Sequence, residues 1–507
     1  MKQLQVITRW MLMLMLMTGF NLSAQTIRMA QDKPTGTSLR DELNLLINQN
    51  TEAAKAKLTA KTDSLSGSKK EADLMLARAV FKTMEDSDKL QAMDKRILKQ
   101  FPKGQLARDN AYEVQIGRHL ETLSAKEIDA RFRTWLKKYP KAQYPIEQQG
   151  QYDFVRMILI KQLVKLKAID LLETYLQEMQ DPNWRTMSYF YAAEGAVDAK
   201  DNARADTYLA EALRLSTAAK NADDAKLRNG FAAMLYPQIA DLYAKNNMQL
   251  GKPELAVEML KPILEDSHYK QFQGAALSQS LAKAYQQLNK PFQGFLVMDR
   301  YLNQNNLDST SLQLVEDLYN ASNQEKAGFD SYLQFLQHKK QQELMAHLSS
   351  KMIEKPMPDF SLMDMDGNKV NLADYKGKIL VIDFWATWCV PCIKSFPGMQ
   401  ASIEKYKAQS DVAFLFVNVW EKGADFKKRA QDFINQNQYD FKLVFDEASA
   451  NNTLLVDKLN VKSIPTKLFV DGQGVIRYMA SGSETGKEAV LNEVSGIIEL
   501  IRSSNTN

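Results

Sequence analysis

Residues 382–392 read Ile-Asp-Phe-Trp-Ala-Thr-Trp-Cys-Val-Pro-Cys and hold both cysteines of the 507-residue chain. Residues Ile379–Trp385, apolar except for Asp383, predict a buried strand, and a helix is predicted from about Val390 to Tyr406. Cys389 would then lie at the N-terminus of this helix, where free N–H groups and the helix dipole favour a thiolate. Cys392 would lie one turn further on, more buried and able to resolve a mixed disulfide. The spacing therefore predicts a redox-active dithiol.

The two cysteines offer few other uses. A four-cysteine zinc site is excluded within one chain, and residues 352–507 contain no histidine that could complete a smaller zinc site. A purely structural disulfide would close too small a loop to add much stability. We therefore expect neither a metal nor an organic cofactor, and the Cys389–Cys392 disulfide is itself the redox group.

Strands and helices alternate through the predicted C-terminal domain, residues 351–507. Pro356 and Pro358 end the preceding helix and begin an extended stretch. Short strands flank Asp366-Gly367, which is a turn sequence. The further predicted elements are strands at 360–363, 369–372, 412–419, 467–470 and 475–479, and helices at 426–435, 454–459 and 488–502. This order predicts an α/β domain built on a central sheet.

Four motifs make the domain recognisable: Pro358-Asp359-Phe360, Tyr375-Lys376-Gly377-Lys378, Trp388-Cys389-Val390-Pro391-Cys392 and Ser463-Ile464-Pro465-Thr466. Together they resemble the thioredoxin-like superfamily, and within it the TlpA/ResA type of exported thiol–disulfide oxidoreductase. The resemblance covers about 150 residues, Lys355 to Ile501.

The resemblance implies a substrate site. In the family the Ile-Pro peptide is cis and lies beside the disulfide, so Pro465 would face Cys389. The backbone of Ile464 would then pair with an extended substrate segment. Trp388, Val390 and Pro391 are expected to contact the same substrate.

Asp383 is the predicted proton acceptor. Relatives of the TlpA/ResA type often have a glutamate three residues after the second cysteine, where this chain has Ser395. Asp383 instead matches the buried aspartate of thioredoxins, which pairs with a lysine on the next strand, where this chain has Phe416. Without a cationic partner the pKa of a buried Asp383 would be raised. Our hypothesis is that Asp383 takes the proton of Cys392 during resolution; the alternative is a structural, hydrogen-bonded acid.

Residues 25–350 form the second predicted domain, and their pattern is helical. Ile97–Lys103 resembles Trp135–Lys141, with the two prolines 38 residues apart, which is typical of a helical-hairpin repeat. Residues 281–294 and 193–212 carry small and large residues at the offsets of a tetratricopeptide repeat, although Asn289 stands where the turn glycine is usual. The region therefore resembles a tetratricopeptide array. Such an array offers a concave surface for a protein or peptide partner, or it is only a scaffold.

Residues 1–24 have the order of a secretory signal peptide. Lys2 and Arg9 precede an apolar run from Trp10 to Phe20, and a small residue, Ala24, stands before the expected cleavage site. The mature protein is therefore expected in the periplasm or otherwise outside the cytoplasm. The net charge is only +4, which gives no reason to expect nucleic acid as a partner.

These observations predict a multidomain protein, an all-α repeat-like region followed by a thioredoxin-like domain. The predicted function is an exported protein disulfide reductase that acts on protein or peptide disulfides. The resemblance favours reduction with electrons from a membrane thiol donor. The alternatives are a helical interaction scaffold that carries the thioredoxin-like domain as a platform, and a disulfide oxidase or isomerase that uses the same residues in reverse.

Overall fold

A computed structural model describes most of the chain after residue 38. The predicted signal peptide, residues 1–24, lies outside the described residues. The described residues are 39–49, 51–266, 274–305, 309–322, 326–421, 423, 425–447, 453–482 and 486–504.

Helices fill the described residues up to Ser350, as the pattern predicts. Short 3₁₀ turns lie at Gly117–Thr122 and Lys141–Gln143. The helices are α1 Leu39–Gln49, α2 Glu52–Ser66, α3 Glu71–Thr83, α4 Ser87–Gln100, α5 Gln105–Gln115, α6 Ala125–Lys138, α7 Ile146–Lys165, α8 Ile169–Glu178, α9 Pro182–Asp198, α10 Asn202–Lys220, α11 Ala225–Arg228, α12 Phe231–Met234, α13 Tyr236–Gln249, α14 Pro253–Glu265, α15 Ala275–Gln287, α16 Pro291–Gln304, α17 Ser309–Ala321 and α18 Lys326–Ser350.

Several of these helices end in the same way. A residue with a positive φ stands two positions after the last helical residue, where it reverses the chain. These residues are Glu85, Lys167, Lys200, Gly251 and Asn289. Asn289 therefore adopts the left-handed conformation (φ 56°) that would otherwise favour glycine. The helices are confirmed, and their assignment to the tetratricopeptide class stays a prediction.

The chain divides into two compact units between Val297 and Met298. In the first unit helices that follow one another along the chain pack in pairs, such as α9 with α10 and α13 with α14. Ala193, Ala205 and Ala212 are fully buried there, so small residues stand where helices come close. The second unit begins well before the switch from helix to strand that was predicted near Lys351. It includes α18, whose Leu348 is buried in the apolar core of the sheet domain.

The second unit is built on an eight-stranded sheet in the order β1-β8-β7-β4-β5-β6-β2-β3. All seven residues of the central strand β4 are buried, which explains why all but Asp383 are apolar. The strands are β1 Lys355–Pro356, β2 Ser361–Met363, β3 Lys369–Asn371, β4 Ile379–Trp385, β5 Val412–Asn418, β6 Leu443–Phe445, β7 Thr466–Val470 and β8 Val475–Ser481; the helices are α19 Val390–Tyr406, α20 Phe426–Gln436, α21 Leu455–Lys458 and α22 Lys487–Ser504, with a 3₁₀ turn at Leu372–Tyr375.

Strand pairing positions the N-terminus of α19. β4 is parallel to β5 and antiparallel to β7, so the carboxyl end of β4 meets the carboxyl end of β5 and the start of β7. α19 begins at this edge and packs closely on α22, where a Cβ on Gly398 would lie 2.8 Å from the Lys487 carbonyl oxygen.

The strands β1 and β6 were not predicted, because they are too short to show an alternating pattern. Among the described residues, no helix combines the length and the apolar character that crossing a membrane requires.

Candidate active site

Cys389 and Cys392 are joined in a disulfide at the N-terminus of α19. Cys389 is the N-cap residue, and its Sγ accepts a hydrogen bond of 3.3 Å from the Cys392 N–H. The Cys389 N–H in turn donates to the Ala386 carbonyl (3.0 Å) and holds the approach to the helix in a turn. Cys392 is fully buried, as predicted, and Cys389 is only 3% exposed. Of the two cysteines, Cys389 is therefore the one that retains some exposure to solvent.

The peptide bond between Ile464 and Pro465 is cis, as the resemblance implies. The Pro465 carbonyl accepts a hydrogen bond of 2.8 Å from Gly482 N–H, which ties this turn to the end of β8. Pro465 is buried, and Ile464 packs against the apolar cluster that contains both cysteines. The structure thus brings these two residues to the same edge of the sheet as the disulfide.

The other predicted contact residues lie around the disulfide on the surface. Trp388 is 56% exposed and Val390 is 42% exposed, and Pro391 is exposed as well. The Trp388 indole N–H donates to the Trp420 carbonyl (3.2 Å), which fixes one edge of the ring. These side chains offer apolar surface next to Cys389.

Asp383 is fully buried at the middle of β4, but one expectation about it is wrong. We expected it to lack a cationic partner, since Phe416 stands opposite it on β5. The register of the other neighbour, β7, places Lys467 directly opposite Asp383. The Lys467 ammonium lies 3.5 Å from Asp383 Oδ2, and its side chain is itself 3% exposed. The cation is therefore supplied by the antiparallel strand and not by the parallel one.

Two effects oppose each other at Asp383. Burial raises the pKa of its carboxyl above the ordinary value, and the charge of Lys467 lowers it, with burial the larger effect. The separation of 3.5 Å is longer than the roughly 2.7–2.9 Å of a strong charge-assisted hydrogen bond. The raised pKa of Asp383 was thus predicted correctly, although a cation is present.

Ser395 connects this pair to the dithiol helix. Lys467 Nζ lies 3.5 Å from Ser395 Oγ, which donates a 2.8 Å hydrogen bond to the Cys392 carbonyl. We call Asp383, Lys467 and Ser395 the buried polar cluster. Its members come from β4, β7 and α19, and all three are buried. The cluster places a titratable carboxyl beneath the turn of helix that carries Cys392.

Glu421 is a site residue that sequence reasoning missed. Its side chain is 3% exposed and accepts hydrogen bonds from the Thr387 N–H (2.5 Å), the Thr387 hydroxyl (3.0 Å) and the Asn418 amide (3.2 Å). Thr387 lies two residues before Cys389, so Glu421 holds the segment that leads into the disulfide. A signal was present, because Glu421 follows β5, and the carboxyl ends of parallel neighbours share one edge of a sheet.

Comparisons with known proteins relate the C-terminal domain to thiol–disulfide oxidoreductases. Residues 353–479 match the AhpC/TSA family, so the helices up to Ser350 lie outside the match. The thioredoxin-like protein YneN of Bacillus subtilis is 34% identical over 131 residues, which are 26% of this chain and 72% of YneN. The thiol–disulfide oxidoreductase ResA of Geobacillus kaustophilus is 33% identical over 131 residues, 26% of this chain and 70% of ResA.

A solved structure of a putative thiol:disulfide interchange protein DsbE from Chlorobium tepidum aligns with 29% of this chain and 96% of its own length, at 28% identity and a TM-score of 0.25. The family assignment rests on the sequence relatives, of which this chain covers more than two thirds. The chain belongs to the ResA-like group of thioredoxin-like thiol–disulfide oxidoreductases, and the domain that carries this likeness lies at its C-terminus.

Proposed function

We propose that the protein reduces disulfides of protein substrates. The Cys389 thiolate attacks one sulfur of the substrate disulfide, and the other substrate sulfur leaves as a thiolate. Cys392 then attacks Cys389 in the mixed disulfide and releases the second substrate thiol. The substrate gains two electrons, and the protein is left with the Cys389–Cys392 disulfide seen in the structure. The observation that carries the proposal is this disulfide at a helix N-terminus of a thiol–disulfide oxidoreductase domain.

The proton of Cys392 goes to Asp383 in this proposal. A buried thiol has a raised pKa, so resolution needs a base to produce the attacking thiolate. Asp383 is the buried carboxyl whose ion pair with Lys467 reaches, through Ser395, the turn of Cys392. The redox group is the dithiol itself, and neither a metal nor an organic cofactor takes part.

Substrate contacts are assigned to the surface around Cys389. Trp388, Val390 and Pro391 would cover the substrate beside the attacked sulfur, and their exposure supports this role. The cis turn at Ile464 and Pro465 would pair with the backbone of an extended substrate segment.

The reductase direction implies a source of electrons. A membrane thiol donor would return the Cys389–Cys392 disulfide to the dithiol after each turnover. The signal-like order of residues 1–24 supports action outside the cytoplasm, in the periplasm or an equivalent compartment. The helical domain predicted at residues 25–350 would position a substrate or partner protein.

The midpoint potential of the Cys389–Cys392 pair tests the direction. The mature protein is equilibrated in a series of redox buffers, and free thiols are counted by labelling. We expect a value near that of thioredoxin, about −270 mV, because such a dithiol can reduce the strained or exposed disulfides whose potentials are higher than its own. A value near that of a strong oxidant, about −120 mV, would show that the protein introduces or rearranges disulfides instead.

A further inference from the structure

The loop after β5 carries a large apolar side chain in a costly conformation. Trp420 has φ 54°, in the left-handed region that glycine enters freely and that costs other residues about 1–2 kcal/mol. Its side chain is nevertheless 38% exposed, so this cost is not offset by full burial of the indole. Strain of this kind is a reason to look for a role at the site.

Four hydrogen bonds join this loop to residues 385–388, which lead into Cys389. We call residues 419–421 the Trp420 loop. Val419 N–H donates to the Trp385 carbonyl (2.9 Å), and the Trp420 carbonyl accepts from the Trp388 indole (3.2 Å). The Glu421 carboxylate accepts from both the N–H and the hydroxyl of Thr387. The loop therefore has a fixed position beside Cys389.

Exposed apolar side chains are concentrated at this place. In the described part of the sheet domain, from Lys355 onward, the large apolar residues that are exposed are Met363, Met365, Trp388, Val390 and Trp420. The two methionines belong to the β2–β3 hairpin at one end of the sheet. The other three lie at the dithiol edge of the sheet: Trp388 and Val390 flank Cys389 in the sequence, and the Trp420 carbonyl accepts from the Trp388 indole. We call these three residues the apolar rim.

We propose that Trp420 determines substrate specificity, by selecting disulfides whose cysteine has an aromatic or bulky aliphatic residue beside it. The rim of Trp388, Val390 and Trp420 would bury that side chain while Cys389 attacks the adjacent sulfur. The occupant is a substrate polypeptide, because the rim is continuous with the disulfide that the substrate must reach. This inference rests on the proposed reductase function and names its substrate class.

The test compares two synthetic peptides, each with one intramolecular disulfide, that differ only in a Phe or a Ser next to the first cysteine. The reduced full-length protein is mixed with each peptide, and the two second-order rate constants are measured. Their ratio is the readout, because a general loss of redox activity cancels from it. We expect the Phe peptide to react roughly tenfold faster with the natural protein, the size of one good aromatic contact.

Trp420→Gly removes the indole but keeps the backbone carbonyl and suits the positive φ, so the fold is not strained. We expect it to lower the ratio at least threefold, and Trp420→Phe to keep most of the preference. Gln438→Gly is the matched control, since Gln438 is another non-glycine residue with a positive φ (58°) in the same domain.

An unchanged ratio in Trp420→Gly would overturn the proposal, and so would equal slowing of both peptides. Equal rates for the two peptides with the natural protein would also overturn it and leave the reductase function intact. If the reduced protein acts on neither peptide, the proposed function itself fails.

Discussion

At the scale of single residues, the proposed resolution step depends on the protonation state of Asp383. Burial raises the pKa of its carboxyl, so at a given pH more of it is protonated than in an exposed aspartate. Only the ionised form can accept the Cys392 proton. The rate of resolution should therefore rise as the pH passes upward through the pKa of Asp383 and level off above it.

Asp383→Asn should remove this rise and slow resolution at neutral pH by about a hundredfold or more, since general acid–base catalysis typically contributes about 10²–10⁴-fold. The measurement is a single-turnover reaction of the reduced protein with a disulfide peptide, in which slow resolution makes the mixed disulfide accumulate. Asp432→Asn, at an exposed position of α20, should behave like the natural protein. An unchanged pH profile in Asp383→Asn would mean that the carboxyl is structural only.

Lys467→Met tests the same hypothesis from the other side of the pair. Removing the cation leaves burial unopposed, so the pKa of Asp383 should rise further and the pH profile should move to higher pH. A structural role of Lys467 would lower stability without this displacement. Because both substitutions break a buried pair, unfolding by urea is measured alongside to confirm that each variant is folded.

At the scale of elements, the Trp420 loop and the segment before Cys389 act together through Glu421. Glu421→Ala leaves the Thr387 N–H without its carboxylate partner, which should cost about 1–3 kcal/mol locally. We expect faster amide hydrogen exchange at residues 386–389 and roughly tenfold slower reduction of a peptide disulfide. Glu421→Gln keeps an acceptor oxygen. We therefore expect a smaller increase in amide exchange and a smaller decrease in the reduction rate than in Glu421→Ala.

The control for the Glu421 variants is Glu404→Ala, on an exposed face of α19. Equal exchange at residues 386–389 in Glu421→Ala and in the natural protein would show that the carboxylate does not hold this segment. The hydrogen bonds of Glu421 would then be incidental to the positioning of Cys389.

The bounds of the elements at the site could be predicted from the sequence, but the contacts between elements could not. The bounds of β4 and α19 follow from a buried apolar run and from the Cys-Val-Pro-Cys start of a helix. The partner of Asp383 could not be predicted, because the pairing of β4 with β7 joins residues 84 positions apart and depends on the register. Glu421 was missed although its place directly after β5 pointed to this edge of the sheet, because a single acid in a loop carries no periodic signal.

At the scale of the whole molecule, the two compact units each have a core of their own. In the first unit, a Cβ on Gly195 of α9 would overlap the side chain of Val164 on α7. In the second unit, a Cβ on Gly398 of α19 would overlap Val490 of α22. Both glycines lie inside helices, where alanine is otherwise favoured by about 1 kcal/mol, so only the close packing explains them.

These glycines allow the two units to be destabilised separately. Gly195→Ala and Gly398→Ala should each lose about 1–3 kcal/mol by overpacking. We expect calorimetry of the full-length protein to show two unfolding transitions, with each variant lowering only the transition of its own unit. The rate of thiol labelling after reduction identifies the transition of the sheet domain, because both cysteines lie in it. If either substitution lowers both transitions equally, the units unfold together, and the helical region is then an integral part of the oxidoreductase.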